Sequence, residues 1–227
     1  MRIAEVLKRP IERMPALLSG WYDEKIMRGL FWGWYMDTAR EAALEVERGE
    51  ILDIGTGAGY LPLFIALGAP DITVKGIDSS RRMIGRARRH AVEMGAGNNV
   101  SFQEGEAVNL DFDDESFHMV LNTMAVHCLR QPVDMLNEAH RVLRPGGKIW
   151  LYDIRGGERE GRFEMFRKVR RLSPWFLKPF ITEKSMKDGG YSSRQIDSFF
   201  GRSRFRMWQY REEGMFFRFE GIKELEV

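Results

Sequence analysis

Three glycines and one aspartate stand where a predicted strand changes into a predicted helix. They are Asp53, Gly55, Gly57 and Gly59, in the stretch ILDIGTGAGYLPLFIA at 51–66. Glycine lets the backbone turn sharply, and it lets a ligand lie against the chain because no Cβ stands in the way. The N–H groups at the start of the helix then face polar or negatively charged oxygens. The turn is therefore predicted to hold a nucleotide-type ligand.

A second acidic residue strengthens this prediction. Asp78 ends the next predicted strand, 23 positions after Gly55, where an acid can accept hydrogen bonds from both hydroxyls of a ribose. Asp78 could instead cap the helix that follows, but Ser79 or Ser80 can do that. Tyr60 stands where a nicotinamide-binding turn, G-x-G-x-x-G, has its third glycine, so the spacing disfavours a nicotinamide cofactor.

Strands and helices alternate around these residues. Strands are predicted at 50–55, 73–78, 100–105, 118–123, 148–154, 205–212 and 215–222, and helices at 60–68, 80–95, 132–143 and 192–203. Apolar strands separated by helices predict a parallel sheet with right-handed crossovers. The RPGG stretch at 144–147 predicts a turn before the fifth strand, and the short turn at 213–214 predicts an antiparallel pair at one sheet edge. The fold class is thus predicted as α/β, a Rossmann-like, doubly wound, mostly parallel sheet with an antiparallel edge hairpin and a helical cap.

Four regions are predicted along the chain. They are an N-terminal helical cap at 1–48, a ligand-binding core at 49–155, a cap insert at 156–190, and a C-terminal helix with two antiparallel strands at 191–227. Aromatic residues are frequent in both cap regions. They either line a pocket for a flat or lipophilic acceptor or fasten the cap helices to the sheet.

Several further motifs follow the glycine turn at regular places. They are D-S-S-x-x-M at 78–83, G-E-A at 105–107, DDESFH at 113–118 before MVLN, and RVLRPGG at 141–147. Together with D-x-G-x-G-x-G at 53–59, this set resembles the motifs of class I S-adenosylmethionine-dependent methyltransferases. The resemblance covers about residues 50–155 and is most similar to the small-molecule group that includes quinone-biosynthesis enzymes.

The resemblance implies S-adenosyl-L-methionine as the cofactor and S-adenosyl-L-homocysteine as the product. It implies these cofactor-binding residues: Tyr22, Asp53, Gly55, Thr56, Gly57, Gly59, Asp78, Ser79, Met83, Gly105, Glu106, Ala107 and Asn122. Asp78 would bind the ribose hydroxyls, and Glu106 would accept a hydrogen bond from the adenine amino group. Asp53 would fix the methionine ammonium group or cap the glycine turn. Asn122 would lie near the sulfonium. Met83 would pack against adenine or belong to the core.

The reaction needs little chemistry from the protein, because a sulfonium methyl group is already an activated electrophile. The protein must align a nucleophile with the S–CH3 bond and exclude water. A general base is needed only if that nucleophile is protonated. His127 is the histidine predicted at the carboxyl edge of the sheet, so it is either a catalytic base or substrate contact, or part of a helix start. Cys128, the single cysteine, is expected to be a buried apolar residue, and no metal site is predicted.

Charge leaves alternative functions open. The region 155–211 contains 15 Lys and Arg against 6 Asp and Glu. It could face an anionic substrate, a membrane surface or RNA, or it could be a solvated helical face. A methyltransferase acting on a small molecule is the preferred interpretation. The alternatives are an RNA methyltransferase that uses this basic region and a non-catalytic, cofactor-binding regulatory protein. The absence of an N-P-P-Y-type motif argues against exocyclic amines of nucleic acids as acceptors.

The remaining sequence features concern location. No apolar run approaches the roughly 20 residues that span a bilayer, and no export segment is recognised at the N-terminus. A single cysteine fits a reducing compartment, so a cytoplasmic location is expected. The sequence leaves the oligomeric state open.

Overall fold

The computed structural model describes residues 28–154, 167–168, 171, 191–213 and 216–225. Its helices are α1 (Arg28–Val46), α2 (Tyr60–Gly68), α3 (Arg81–Glu93), α4 (Pro132–Val142) and α5 (Ser193–Arg202), with a short 3-10 turn at Val126–Cys128. Its strands are β1 (Gly49–Ile54), β2 (Ile72–Asp78), β3 (Val100–Glu104), β4 (Phe117–Thr123), β5 (Leu143–Ile154), β6 (Met207–Glu213) and β7 (Phe216–Ile222). The predictions for Tyr22 and for most of the insert lie outside the described residues.

The strands form one seven-stranded sheet in the order β3-β2-β1-β4-β5-β7-β6. The pairs from β3 to β5 are parallel, whereas β7 runs antiparallel to both β5 and β6. The predicted α/β fold class, with a mostly parallel sheet and an antiparallel edge, is confirmed. Strand order reverses between β1 and β4, and ligands of such sheets bind beyond the carboxyl ends of the strands at that point.

Local sequence explains where the helices begin. The Ser80 side chain accepts a hydrogen bond from the Met83 N–H at the start of α3. A reciprocal capping box between Ser192 and Gln195 begins α5. Pro132 occupies the first turn of α4, where its missing N–H costs nothing.

The core lies on both faces of the sheet, and strand β5 is therefore buried on both sides. Trp150 and Tyr152 pack with α1 and α2 on one face, whereas Ile149 and Leu151 pack with α4 and α5 on the other. A strand that is covered twice needs apolar residues at consecutive positions. This requirement explains the run of four apolar and aromatic residues at 149–152 in β5.

The RPGG stretch was expected to form a turn before β5, and this prediction is wrong in detail. The stretch lies inside β5 as a bulge, because Leu143 pairs with Phe117 and the pairing with β4 resumes only at Lys148. Gly146, with φ 80°, supplies the left-handed backbone that the bulge needs. Its N–H donates to the Lys223 carbonyl at 2.8 Å, so the bulge is held by the chain that follows β7.

A buried arginine fastens α1 to the sheet. The guanidinium of Arg218 lies 3.7 Å from the centroid of the Trp150 ring. It donates to the Tyr152 hydroxyl at 2.9 Å, to Glu41 on α1 at 2.7 Å and to Glu220 at 3.1 Å. Arg218 is only 6% exposed. The hydrogen bonds and ion pairs to these partners therefore replace the water contacts that its charge lost on burial.

Replacing Arg218 with methionine should destabilise the fold, since it removes the nearer of the two cations that contact the largely buried Glu220 and leaves Lys148 at 3.6 Å. We expect a loss of about 3 kcal/mol in the free energy of unfolding, measured by urea denaturation. Arg211→Met is the matched control, because Arg211 also contacts Glu41 but its side chain is 55% exposed. The Arg211→Met control should lower the free energy of unfolding by less than about 1 kcal/mol. Equal losses in the two variants would contradict this role for Arg218.

Candidate cofactor and active site

The glycine turn between β1 and α2 is held against β2 in a left-handed backbone. Gly55, Gly57 and Gly59 have φ values of 75°, 54° and 81°. The N–H groups of Gly55 and Thr56 both donate to the Ile77 carbonyl at 2.8 Å. These bonds fix the turn at the carboxyl end of the sheet, where the sequence predicted it.

The three glycines are needed for different reasons. A Cβ at Gly55 would lie 2.4 Å from the Ala125 Cβ, and one at Gly59 would lie 2.7 Å from the Ala87 Cβ. At Gly57, in contrast, no described atom comes within 4 Å of that position. Gly55 and Gly59 therefore serve packing, whereas Gly57 borders a space that a closely approaching ligand can use.

Asp78 faces the glycine turn, as its predicted role requires. One carboxylate oxygen accepts the Gly57 N–H at 2.9 Å, and the other accepts the Ser80 N–H at 2.8 Å. Ser80 caps α3 with its own hydroxyl, so Asp78 is not the helix cap. The acid that would bind a ribose is thus fixed directly beside the glycine that borders the open space.

Buried polar atoms without partners gather next to the turn. Both carboxylate oxygens of Asp53, the hydroxyl of Thr56 and the side-chain carbonyl of Asn122 have no hydrogen-bond partner among the described residues. Asp53 is 1% exposed and Asn122 is fully buried. Such groups are costly unless a ligand completes their hydrogen bonds. An ammonium group, with three N–H donors and a positive charge, fits these acceptors.

Asp53 does not cap the glycine turn, since the loop N–H of Gly57 is bonded to Asp78 instead. Burial raises the pKa of Asp53 to about 7, the nearby Thr56 side chain opposes the shift, and the charge of Asp78 adds to it. A cation bound beside Asp53 would favour its ionised form. The position therefore suits the ammonium group of an amino-acid ligand.

The segment predicted to contact adenine follows β3. The Gly105 N–H donates to the Asp78 carbonyl at 3.2 Å, so this segment starts beside Asp78. Glu106 is exposed and pairs with Asn109 in a short antiparallel bridge. Met83 is 6% exposed, so it occupies a core position, and its contact with adenine stays a prediction.

The arginine of the RVLRPGG motif holds the chain that follows this segment. Arg141 donates to the carbonyls of Leu110 and Phe112 at 2.9 and 2.8 Å, and it pairs with Glu138 on the same helix. Glu138 in turn accepts the Leu110 N–H at 2.9 Å. The motif therefore acts from α4 to position the link between β3 and β4.

A histidine–aspartate pair lies at the carboxyl ends of β4 and β5. His127 Nδ1 is 2.8 Å from Asp153 Oδ1, and Asp153 also accepts the backbone N–H groups of His127 and Ile154. Asp153 is fully buried. Sequence reasoning identified His127 but not Asp153, although an acid that ends the strand next to β4 was a usable signal.

The charge state of His127 depends on Asp153. Burial lowers the pKa of His127, but the charge of Asp153 and the hydrogen bond to it outweigh burial, so the pKa lies well above its usual value. The His127 side chain remains 29% exposed. A proton on this imidazole is thus stabilised, while part of the ring is still accessible.

Cys128 was expected to be buried, and this prediction is wrong. The cysteine is free and exposed. Val126 takes the buried position of the three-residue turn, and Cys128 ends that turn on the outer side. In the part of the chain that the structure describes, no group of three or more His, Cys, Asp or Glu could hold a metal ion.

The structure brings most of the predicted residues to one sheet edge. The residues near the end of β1, on the turn, near the ends of β2 and β4, and after β3 are Asp53, Gly55, Thr56, Gly57, Gly59, Asp78, Ser79, Gly105, Glu106, Ala107 and Asn122. Their contact with a cofactor stays a prediction, as does that of Tyr22. Among residues 28–154, 191–213 and 216–225, no helix is long and apolar enough to cross a membrane.

A sheet of this order, with a glycine turn after β1 and an acid ending β2, matches the Rossmann-like fold of methyltransferases. Comparison with known proteins agrees, because residues 51–147 match the family described as "Methyltransferase domain". Residues 51–147 are therefore similar to methyltransferase domains.

Named relatives share this core. An arsenite methyltransferase of Halobacterium salinarum is 35% identical over 106 residues, which are 46% of this chain and 27% of the relative. A demethylmenaquinone methyltransferase of Chlorobaculum tepidum is 33% identical over 123 residues, which are 53% of this chain and 48% of the relative. The match thus spans about half or less of these relatives' length.

Solved structures share the fold at low sequence identity. A SAM-dependent methyltransferase from Aquifex aeolicus has a TM-score of 0.64 at 19% identity, covering 83% of this chain and 88% of its own. A Haemonchus contortus phosphoethanolamine N-methyltransferase was crystallised with S-adenosylhomocysteine. Its TM-score is 0.59 at 15% identity, and the match covers 78% of this chain and 49% of the Haemonchus chain.

Replacing Asp53 with asparagine should stabilise the ligand-free protein and weaken cofactor binding. Because the pKa of Asp53 is raised from 3.8 to about 7 on folding, its ionisation opposes folding increasingly as pH rises through that window. At pH 8 the cost is about 4 kcal/mol, and the neutral amide avoids it. Thermal unfolding should show the variant's advantage at pH 8 and its decline towards pH 4.

Asp71→Asn is the control for that experiment, because Asp71 is exposed at the opposite end of β2. It should change neither stability nor affinity for S-adenosylhomocysteine. An Asp53→Asn variant that is less stable than the original protein at pH 8, or that binds the ligand equally well, would contradict the assignment.

Gly57→Ala and Gly59→Ala should separate ligand space from packing. Both alanines meet the left-handed backbone, which costs about 1–2 kcal/mol. Only alanine at 59 would also collide with Ala87 and Phe102, so it should lose more stability in urea denaturation. Alanine at 57 should mainly weaken S-adenosylhomocysteine binding, by tenfold or more in calorimetry. The reverse ranking of the two variants would count against this division.

Proposed function

We propose that this chain transfers the methyl group of S-adenosylmethionine to a small-molecule acceptor by in-line displacement. The observation that carries the proposal is the set of buried, unpartnered acceptors at Asp53 and Asn122 beside the open face of Gly57. These groups match the donors and the charge of the methionine end of the cofactor.

Each part of the cofactor has residues that would hold it. Asp53 would bind the ammonium group, and Asp78 would bind the ribose hydroxyls beside Gly57. Glu106 and the Ala107 backbone would bind adenine, and Asn122 would lie near the sulfonium. When bound, the cofactor supplies an activated methyl group, so the residues need only orient it and exclude water. Orientation alone can contribute about 7–11 kcal/mol.

A small acceptor is favoured over a macromolecule by the relatives. They include an arsenite methyltransferase and a demethylmenaquinone methyltransferase, and the Haemonchus structure contains phosphomonomethylethanolamine. These acceptors differ in the atom that takes the methyl group, so the relatives support the class but not one compound. The cytoplasmic location stays a prediction from the sequence.

Calorimetry with S-adenosylhomocysteine and with NAD tests the proposal. We expect binding of the first and no heat from the second. Asp78→Asn should weaken binding by 10- to 100-fold, because it replaces a charged acceptor of two hydrogen bonds. Asp71→Asn, the same change at the other end of β2, should bind like the original protein. Binding of NAD, or unchanged affinity in Asp78→Asn, would contradict the proposal.

Binding without transfer would favour the alternative of a regulatory protein. Transfer to RNA that weakens steeply with salt would favour the RNA methyltransferase. Radiolabelled S-adenosylmethionine, incubated separately with a small-molecule extract and with total RNA, distinguishes these outcomes by where the methyl label appears.

A further inference from the structure

We infer that His90 is a positioning residue for cofactor binding, because its imidazole holds the carbonyl of Ala58 in the middle of the glycine turn. The inference rests on the proposed function and deepens it by adding a residue that acts on the same site through the backbone. His90 lies on α3, outside every motif quoted in the sequence analysis.

The hydrogen bond between His90 and the turn fixes the tautomer of the ring. His90 Nδ1 lies 2.9 Å from the Ala58 carbonyl oxygen. A carbonyl oxygen can only accept a hydrogen bond, so Nδ1 carries the hydrogen, and the neutral ring keeps its lone pair on Nε2. The two residues are 32 positions apart, so the bond connects α3 to the turn and not to a neighbouring part of its own helix.

The peptide unit between Ala58 and Gly59 is held from both of its sides. Its carbonyl accepts from His90, and its N–H, which belongs to Gly59, donates to the Thr56 carbonyl at 3.0 Å. Gly57 and Gly59, which flank Ala58, have φ values of 54° and 81°. Glycine adopts positive and negative φ about equally readily, so this backbone has little preference of its own. The two hydrogen bonds therefore set the orientation of the peptide plane.

This peptide unit lies next to the space that a ligand can use. Gly57 borders that space, and its N–H is held by Asp78 at 2.9 Å. A rotation of the Ala58 carbonyl away from His90 would change the ψ angle of Ala58, one residue from Gly57. Binding loses less free energy when the backbone of a site is already ordered. A donor at residue 90 should therefore increase the affinity for the cofactor.

Aromatic contacts hold the His90 ring in place. The ring stacks on Tyr60, with centroids 4.7 Å apart and an interplanar angle of 20°. Tyr60 is 5% exposed, and it also contacts Trp32 of α1 edge-on, at 5.6 Å between ring centroids. Tyr60 is the residue that stands in place of the third glycine of a nicotinamide-binding turn. In this chain its side chain supports the imidazole that holds the turn.

A purely structural role for His90 would have different consequences. If the hydrogen bond served only to join α3 to the turn, its loss would lower the stability of the fold, because the Ala58 carbonyl would lack its donor. The affinity for the cofactor would then stay unchanged. If the bond positions the turn, the affinity must follow the presence of a donor at residue 90. Two substitutions distinguish these roles, because one removes the donor and the other removes the ring.

The first test compares His90→Phe with His90→Asn by calorimetry of S-adenosylhomocysteine binding. Phenylalanine keeps a ring against Tyr60 but has no donor. Asparagine loses the ring, but its amide nitrogen is attached to Cγ as Nδ1 is, so it can donate to Ala58. We expect His90→Phe to weaken binding about five- to tenfold and His90→Asn to stay within about twofold of the original protein, because one hydrogen bond has about this effect.

The controls exclude effects of helix stability and of the substitution itself. Histidine, phenylalanine and asparagine have similar helix propensities, so α3 should form equally well in both variants. Urea denaturation shows that each variant is folded under the conditions of the calorimetry. His140→Phe makes the same change on α4, where the ring lies beside Phe205, and it should bind S-adenosylhomocysteine like the original protein.

The second test observes the hydrogen bond and the turn by NMR. The ring nitrogens of His90, assigned by their loss in His90→Asn, should show the Nδ1–H tautomer in the free protein. The amide of Gly59 should exchange with solvent faster in His90→Phe than in the original protein, because its peptide plane has lost one of two restraints. His90→Asn should restore the slower exchange. An Nε2–H tautomer, or unchanged Gly59 exchange in His90→Phe, would overturn the inference.

Failure of this inference can be distinguished from failure of the proposed function. If the original protein binds S-adenosylhomocysteine and His90→Phe binds it equally well, the positioning role is wrong, even when His90→Phe is less stable in urea. Equal losses of affinity in His90→Phe and His90→Asn would also overturn it, since the donor would then not be the group that matters. No binding of S-adenosylhomocysteine by the original protein would overturn the proposed function and this inference with it.

Discussion

A buried carboxylate without a partner is the constraint on which the site depends. Asp53 lies near the end of the inner strand β1, where it is removed from water and neither carboxylate oxygen has a well-formed hydrogen bond from the described residues. Burial of an unpaired acidic group opposes folding, and the raised pKa of about 7 expresses that cost. The rest of the sheet must therefore be stable enough to tolerate it. The double-sided core around β5 and the buried Arg218 provide that stability at a distance from the site.

The glycine turn and the residues packed against it determine which space beside Asp53 is open to a ligand. Asp78 accepts the Gly57 N–H, so the carboxylate that is predicted to bind a ribose is joined to the turn by the protein's own hydrogen bond. The Ala125 side chain closes the turn on one side and Ala87 closes it on the other, which leaves Gly57 as the open face. Because the backbone of such a site is already ordered, ligand binding loses little free energy to ordering it. The same packing connects the turn to the segment that carries His127, because the Ala125 side chain lies against Gly55.

Much of the fold could be predicted from the sequence, because strand and helix patterns are local. The apolar strands, the glycine turn and Asp78 each lie within a few residues of their signal, and the parallel sheet with its antiparallel edge is confirmed. RPGG was misplaced because a bulge depends on pairing with β4 and with Lys223, which are far away in sequence. Asp153 was missed and Cys128 was misjudged for a similar reason. Their environments arise from the meeting of two strand ends and from a three-residue turn that periodicity does not show. Local sequence patterns do not predict the identity of the acceptor, because it depends on residues that carry no shared motif.

The most direct test of the central claim is the proton count of cofactor binding. Calorimetry of S-adenosylhomocysteine binding at pH 7, repeated in buffers with different ionisation enthalpies, measures how many protons the protein releases. A pKa of Asp53 near 7 in the free protein predicts binding with release of about half a proton, because the ligand's ammonium group favours the ionised carboxylate. That release should disappear in Asp53→Asn. No heat of binding, or binding with the same proton release in Asp53→Asn, would contradict the account.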